Sequence, residues 1–169
     1  MHPLVCHPQS RPGAVRSVKA GVERGEGGVL LKFILQGDLE ALRIPSPRPP
    51  RIAPRLWEHT CCEVFVARDG RPAYHEFNLS PSGEWAAHAF ERYREGAMLS
   101  DAALDPRIAV RCDAGRLELD ALIRCEGERL LIGLAAVVEA ADGSLSYWAL
   151  SHPPGKPDFH HRDAFALAL

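Results

Sequence analysis

The chain has 169 residues, of which 20 are lysine or arginine and 22 are aspartate or glutamate, so its formal net charge is -2. That length suits one hydrophobic core, and no long polar run divides it, so we predict a single domain over residues 1–169. The near balance of charge provides no basic face, which argues against nucleic acid or an anionic membrane as a partner.

The apolar runs and the cysteines bear on location and redox state. The amino terminus lacks the apolar region of a secretory signal, and no stretch reaches the roughly 18 apolar residues of a membrane-spanning helix. Five cysteines without a paired spacing favour free thiols over a disulfide framework. We therefore expect a cytoplasmic protein.

The first third of the chain predicts a hairpin followed by a proline-rich loop. Residues 14–24 alternate loosely between apolar and polar, and a glycine-rich link joins them to the β-rich residues 29–37. This is typical of a β-hairpin. Residues 44–54 hold five prolines, which predicts an extended surface loop. Recognition of this segment by a partner's aromatic groove is an alternative use for it.

Two successive strands are predicted at residues 61–66 and 74–79, with the hairpin signal Asp69-Gly70 between them. Alternation places one carboxylate among apolar neighbours on each strand, Glu63 and Glu76. Such a pair could hold a sugar hydroxyl, or act as the two acids of a glycosidase if the carboxyl groups lie ~5–10 Å apart in an open cleft. The structural alternative is that each accepts hydrogen bonds from arginine or from the backbone.

The rest of the chain continues the strand pattern to its end. We predict a strand or a short helix at 85–90, a long connection at 92–106, a hairpin from 108–112 and 117–125, a central strand at 130–138, a strand from Ser146, and a half-buried terminal strand in which Phe165, Leu167 and Leu169 alternate with alanines. About ten short strands without βαβ alternation predict an all-β protein with little helix, an antiparallel β-sandwich of immunoglobulin-like or jelly-roll type.

The loop between the last two strands carries the densest group of polar side chains. Its candidates for ligand contact are His152, Lys156, Asp158 and His160, because loops held by a rigid sheet commonly carry binding groups. The histidine spacing does not match that of a zinc site, so we predict no metal.

Three tryptophans fall near the ends of predicted strands: Trp57, Trp85 and Trp148. A flat aromatic face offers apolar contact to a sugar ring, and core packing is the alternative role. Trp57 is the one most readily placed at the surface, because the proline-rich loop precedes it.

The chain has no strong motif for catalysis or for a cofactor. Cys61 has His59 two residues before it, and Ser80 lacks the Gly-x-Ser-x-Gly elbow of a nucleophile. There is no phosphate-binding glycine motif. We predict no catalytic residue and no resident cofactor, with haem as the alternative through Met98 and one of the late histidines.

Three blocks carry a resemblance to a known family: LWEHTCCEVFVA, YHEFNLSPSGEW and SYWALSHPPGKPDFHHRDAF. Across residues 56–169 the chain resembles DOMON-like domains related to family 9 carbohydrate-binding modules, and its closing block resembles a bacterial subgroup of them. The resemblance implies a β-sandwich of roughly ten strands that binds sugar or haem on one face or rim without catalysis. Trp57 and Trp85 would be the pair that grips a saccharide, and Met98 with a late histidine would be the haem ligands.

The first hypothesis is a non-catalytic binding domain for a saccharide or a sugar-like small molecule. A haem or redox domain, an enzyme that uses the 152–161 loop, and an interaction role are the alternatives, and the oligomeric state stays open. The predicted ligand-binding residues are Trp57, Glu63, Glu76, Trp85, Trp148, His152, Lys156, Asp158 and His160.

Overall fold

The computed structural model describes residues 1–125 and 127–169, and within these the regular structure is almost entirely β. The strands are β1 (His2–Cys6), β2 (Val15–Gly25), β3 (Gly28–Gly37), β4 (Cys61–Arg68), β5 (Tyr74–Leu79), β6 (Trp85–Arg92), β7 (Glu95–Met98), β8 (Arg107–Asp113), β9 (Arg116–Ile123), β10 (Leu130–Glu139), β11 (Leu145–Ala149) and β12 (Leu167–Ala168). Short 3-10 turns occupy Leu39–Ala41, Leu56–Glu58, Ala102–Leu104 and Arg162–Ala164. None of the helical turns in the described part is long and apolar enough to cross a membrane.

The strands form two packed layers. Layer A has the order β8-β9-β3-β2, and layer B has the order β7-β6-β5-β4-β10-β11. Strand β1 joins the layers, because it pairs with β2 on one side and with β11 on the other. All of these strand pairs are antiparallel, so the prediction of an all-β antiparallel sandwich is confirmed, as are the predicted hairpins β2-β3 and β8-β9.

The main core lies between the two layers. Strand alternation directs Leu31 and Phe33 of β3 inward from layer A, while Val64, Phe77 and Ile132 point inward from layer B. All five side chains are almost fully buried. Removing this apolar surface from water is the main favourable contribution to folding.

A second apolar cluster covers the opposite face of layer B. Phe65, Tyr74 and Val137 project from the strands, and Phe159 and Phe165 of the carboxy-terminal segment pack on them. Layer B is therefore buried on both faces. This explains why β10 is apolar nearly throughout and confirms the prediction of a central strand at this position, where it pairs with β4, β11 and β12.

Several elements differ from the sequence-based expectation. The predicted connection at 92–106 contains β7, which pairs with β6. Its residues Glu95–Met98 have weak β propensity, so it was not recognisable as a strand without its partner. Of the two alternatives for residues 85–90, the structure has the strand, which extends to Arg92. The terminal strand is limited to the two residues of β12.

The proline-rich segment runs in extended form along the edge of β6. Residues 46–51 are exposed, as expected, and Ile52 makes a β-bridge with Trp85. The Trp85 backbone N–H donates to the Arg51 carbonyl at 3.0 Å, and the Ala53 N–H donates to the Trp85 carbonyl at 2.9 Å. The segment thus satisfies backbone groups at the start of β6.

Substitution of a core tryptophan tests this packing. Trp85 is only 2% exposed and Trp57 is 39% exposed. Trp85→Ala is expected to lower the free energy of unfolding by about 3–5 kcal/mol, because it leaves a cavity between the layers. Trp57→Ala is expected to change it by about 0.5 kcal/mol or less. Urea denaturation measures both, and equal losses in the two variants would contradict the assigned core.

Candidate functional site

A cavity of about 460 Å³ opens on the outer face of layer B, beneath the carboxy-terminal segment. We call it the outer cavity, and two groups of side chains dominate its lining. The polar cluster consists of Glu63, Glu76, His88 and His160. The aromatic wall consists of Trp57, Phe90, Tyr147 and Phe159.

Strand register brings three members of the polar cluster together. Glu76 on β5 lies directly opposite His88 on β6. On its other side it lies opposite Phe65 of β4, two residues from Glu63. Residues that face each other in antiparallel strands project from the same side of the sheet, and their diagonal neighbours remain within side-chain reach. Glu63 and Glu76 are therefore close on one face, and both are buried.

The hydrogen-bonding capacity of this cluster is only partly used. Glu76 Oε1 accepts from Asn78 Nδ2 at 2.9 Å, while its Oε2 lies 3.9 Å from His160 Nε2 and 4.0 Å from His88 Nδ1. No side chain in the described part of the protein donates to the Glu63 carboxyl group, and the buried His88 Nδ1 has no partner there. Buried polar atoms are normally paired. The Glu63 carboxyl group, which lines the cavity, is therefore the acceptor available to a ligand, whereas the unpaired His88 Nδ1 lies beneath the surface.

His160 is held in place by a ring of aromatic side chains. Its Nδ1 is 2.9 Å from the Tyr74 hydroxyl, and its ring makes edge contacts with Phe65 and Phe90 at centroid distances of 5.1 Å. Tyr74 and Phe90 are in turn stacked, with their planes 8° apart. The imidazole is therefore fixed beside Glu76.

Asp158 anchors the loop that carries His160. Its carboxylate accepts from Tyr93 at 2.7 Å and from Arg94 at 3.0 Å, and it also accepts from the backbone N–H of His160 at 3.1 Å. Burial alone would raise the pKa of Asp158, but the hydrogen bonds from Tyr93 and Arg94 bring it below its usual range. Asp158 thus acts as an ionised tether of the loop and does not line the cavity.

Burial favours the uncharged form of each member of the polar cluster. It raises the pKa of Glu63 well above its ordinary value, with the neighbouring Glu76 adding to the rise. It raises the pKa of Glu76 too, although the hydrogen bond from Asn78 opposes this. Burial lowers the pKa of His88, and it lowers that of His160 to about 4. Both histidines are therefore neutral near pH 7.

Two of the predicted tryptophans lie in the main core and not in the outer cavity. Trp85 and Trp148 are 2% and 6% exposed, and they point between the layers because alternation sends these positions inward. The indole N–H of Trp148 donates to Ser146 Oγ at 2.9 Å, so its polar edge is satisfied internally. Trp57 alone has an exposed ring beside the cavity, where its edge meets His88 at 5.6 Å.

The remaining predicted loop residues lie away from the cavity. His152 Nε2 is 2.8 Å from the Val5 carbonyl, and its ring packs edge-on against His7, so it fastens the loop to β1. Lys156 is exposed and outside the lining. Of the nine predicted residues, the structure brings together Trp57, Glu63, Glu76 and His160 at this cavity.

The sequence reading missed several residues of the lining. His88 and Phe90 were unassigned because residues 85–90 fitted both a strand and a helix, and only a strand reading places His88 opposite Glu76. Arg94 fell in the predicted connection. Tyr147 carried a usable signal, since it precedes an inward-facing tryptophan and must therefore face outward.

The alternatives for catalysis and for haem find little support in the geometry. His59 contacts Glu139 at 2.7 Å, and burial raises the pKa of the Cys61 thiol well above its ordinary value, which makes it a poor nucleophile. Met98 is 40% exposed on β7 and does not line the outer cavity, where the late histidine His160 lies, so the structure does not bring these two side chains together there. No group of three metal-binding side chains is present among the described residues.

Comparison with known proteins gives matches at the level of structure. No family model matches the chain, and no curated protein matches it. A candidate carbohydrate-binding protein from Bacteroides uniformis ATCC 8492 is similar with a TM-score of 0.69 and 17% identity, over 96% of this chain and 82% of that chain. A family 9 carbohydrate-binding module from Caldicellulosiruptor kristjanssonii, solved with glucose, has a TM-score of 0.52 and 7% identity over 82% and 69% of the two chains. The same kind of module solved with cellotriose has a TM-score of 0.51 and 7% identity over 82% and 67%.

The likeness is one of fold. It agrees with the resemblance to family 9 modules that the sequence suggested, while the relation to DOMON-like domains stays a prediction.

Replacement of His160 tests the burial of the polar cluster. Its folded-state pKa of about 4 lies below the ordinary 6.5, so between these values the unfolded chain binds more protons and stability falls as the pH falls. In the wild type, His160 is expected to lower the unfolding free energy by about 2 kcal/mol between pH 7 and pH 5. His160→Gln lacks this contribution, so its unfolding free energy should fall by about 2 kcal/mol less over the same range.

Urea denaturation at the two pH values measures this difference. Glu63 and Glu76, whose pKa is raised, change stability in the opposite sense, but they do so in both proteins. The exposed His2→Gln serves as the matched control and should keep the wild-type pH dependence. An unchanged pH dependence in His160→Gln would show that His160 is solvated.

Proposed function

We propose that this protein is a non-catalytic domain that binds a saccharide in the outer cavity. The observation that carries the proposal is the buried Glu63 carboxyl group, which receives no hydrogen bond from the described residues and lines the same cavity as the exposed ring of Trp57. A sugar presents both hydroxyl donors and an apolar face, so one molecule could satisfy both surfaces.

The polar side of the cavity suits hydroxyl groups. Glu63 and Glu76 offer carboxyl oxygens, and the His88 side chain lies beside them in the lining. Because burial favours the neutral form of these groups, they can exchange hydrogen bonds with a neutral ligand. A ligand without hydroxyl or amide groups would leave them unpaired, at a cost in binding energy.

The aromatic side of the cavity suits a sugar ring. Trp57 is one of the few exposed large apolar side chains, and its contact with His88 keeps the indole beside the polar cluster. Tyr147 and Phe159 pack edge to face at 6.1 Å on another wall. Aromatic faces combined with a few directed polar groups are typical of small-molecule sites.

The structural neighbours support the choice of a saccharide as the ligand class. Two of them are family 9 carbohydrate-binding modules solved with glucose and with cellotriose. Their low identity to this chain means that the binding residues proposed here rest on its own cavity and not on residues carried over from those modules.

The electrostatics of the two acids support binding without hydrolysis. A paired-acid glycosidase requires one protonated carboxylic acid and one ionised carboxylate. Here burial is the largest influence on both Glu63 and Glu76 and raises the pKa of each. Burial thus disfavours the ionised carboxylate that a paired-acid mechanism needs, while the positive charge of Arg94 in the lining opposes this at both groups.

Two substitutions separate the apolar and the polar contributions to saccharide binding. Trp57→Ala removes the exposed face and Glu63→Gln alters the free carboxyl group, so each is expected to weaken binding about tenfold, equivalent to ~1.4 kcal/mol. Isothermal titration calorimetry with glucose, cellotriose and a wider glycan panel measures the affinities. Lys156 lies in the loop that carries His160 but outside the cavity lining. Lys156→Ala is therefore the control and should bind like the wild type.

Two results would contradict the proposal. One is the absence of binding to every saccharide tested. The other is equal affinity in the wild type, Trp57→Ala and Glu63→Gln, which would place any saccharide elsewhere on the protein.

A further inference from the structure

A second cavity, of about 600 Å³, lies at one end of the sandwich, where β4 turns into β5 and β9 leaves layer A. We call it the end cavity. Val66, Phe77 and Leu130 of the main core form its inner wall, and Leu99 and Leu104 of the connection after β7 close its side. The interior of the end cavity is therefore aliphatic and aromatic and continues into the core between the layers.

Three arginines line the mouth of this cavity: Arg68, Arg71 and Arg124. All three are exposed, and the described lining contains no aspartate or glutamate. Arg124 donates to the Ala103 carbonyl at 3.3 Å. None of the three forms a salt bridge with a carboxylate of the described residues, whereas Arg43, Arg92 and Arg111 each do. Among the described lining residues, the mouth therefore carries positive charge without a carboxylate beside it.

The effect of this charge is visible at His75, which also lines the cavity. Burial lowers the pKa of His75, and the positive charge of Arg68 lowers it further. The charge of Arg68 at His75 adds to those of Arg71 and Arg124 in the same lining. An anionic group would be favoured in the same place.

The end cavity and the outer cavity use opposite faces of the same strands. Val66 and Phe77 point towards the main core, whereas Glu63 and Glu76 point outward. A ligand in the end cavity would therefore contact the core and not the polar cluster. The inference drawn from it does not rest on saccharide binding.

We propose that the end cavity binds an amphipathic anion, with an aliphatic chain against the partly exposed Leu99 and Leu104 over the inner apolar wall, and an acidic head group among the three arginines. Guanidinium groups recognise carboxylate and phosphate groups with paired hydrogen bonds, and burial of each methylene group adds to the affinity. Charge and apolar surface thus select the same class of ligand, of which a medium-chain fatty carboxylate is the simplest member.

Sodium decanoate and 1-decanol, which share a chain and differ in charge, are the probes. Titration calorimetry on the full chain is expected to show decanoate binding about tenfold or more tightly than decanol. Arg71→Gln and Arg124→Gln are each expected to weaken decanoate about tenfold, since each removes a charged hydrogen-bonding partner, and to leave decanol unchanged. Arg11→Gln, at an exposed position outside the lining, is the matched control and should bind both probes like the wild type.

Ala73→Trp places a large side chain at the mouth and is expected to abolish binding of both probes. Thermal denaturation of each variant confirms that it remains folded. No decanoate binding below its micellar concentration overturns the proposal. Equal affinity for decanoate and decanol, or decanoate binding that neither arginine variant weakens, overturns it as well.

Discussion

Burial of layer B on both faces is the constraint on which the site depends. One face packs against layer A in the main core, and the other packs against the carboxy-terminal segment through Phe159 and Phe165. Glu63 and Glu76 project from this second face and so are removed from water. Burial of ionisable groups is costly unless they are paired or neutralised. Two buried carboxyl groups beside an open cavity interrupt the apolar packing on this face of layer B. Local exceptions of this kind are characteristic of functional sites.

The outer cavity is formed by the carboxy-terminal loop together with the strands of layer B. Asp158 binds Arg94 and Tyr93, and His152 binds the backbone of β1, so these loop residues fix the position of the loop. Three of the four members of the polar cluster, Glu63, Glu76 and His88, come from strands β4, β5 and β6. A cavity built on paired strands holds its side chains in register, which reduces the cost of ordering them when a ligand binds.

Two-residue alternation accounts for the part of this arrangement that could be predicted. It assigned opposite faces in β4 and β5 and made Glu63 and Glu76 recognisable as candidate neighbours. Alternation alone does not decide which face of β6 points inward, because that depends on pairing with β5. The sequence therefore does not distinguish the core position of Trp85 from the outward position of His88. Strand β7 pairs with β6 at the edge of layer B, and its residues have little β propensity of their own. The sequence alone therefore predicts a connection at this position.

The indole N–H signals of the three tryptophans provide the most direct test of the outer cavity as the saccharide site. Trp57 lies beside the polar cluster, while Trp85 and Trp148 lie in the main core. In a proton-nitrogen NMR titration with cellotriose or another saccharide that binds, the account expects the Trp57 signal to shift with saturation and the two core signals to stay in place. A saturable shift confined to Trp85 or Trp148, or saccharide binding that leaves Trp57 unmoved, would contradict it.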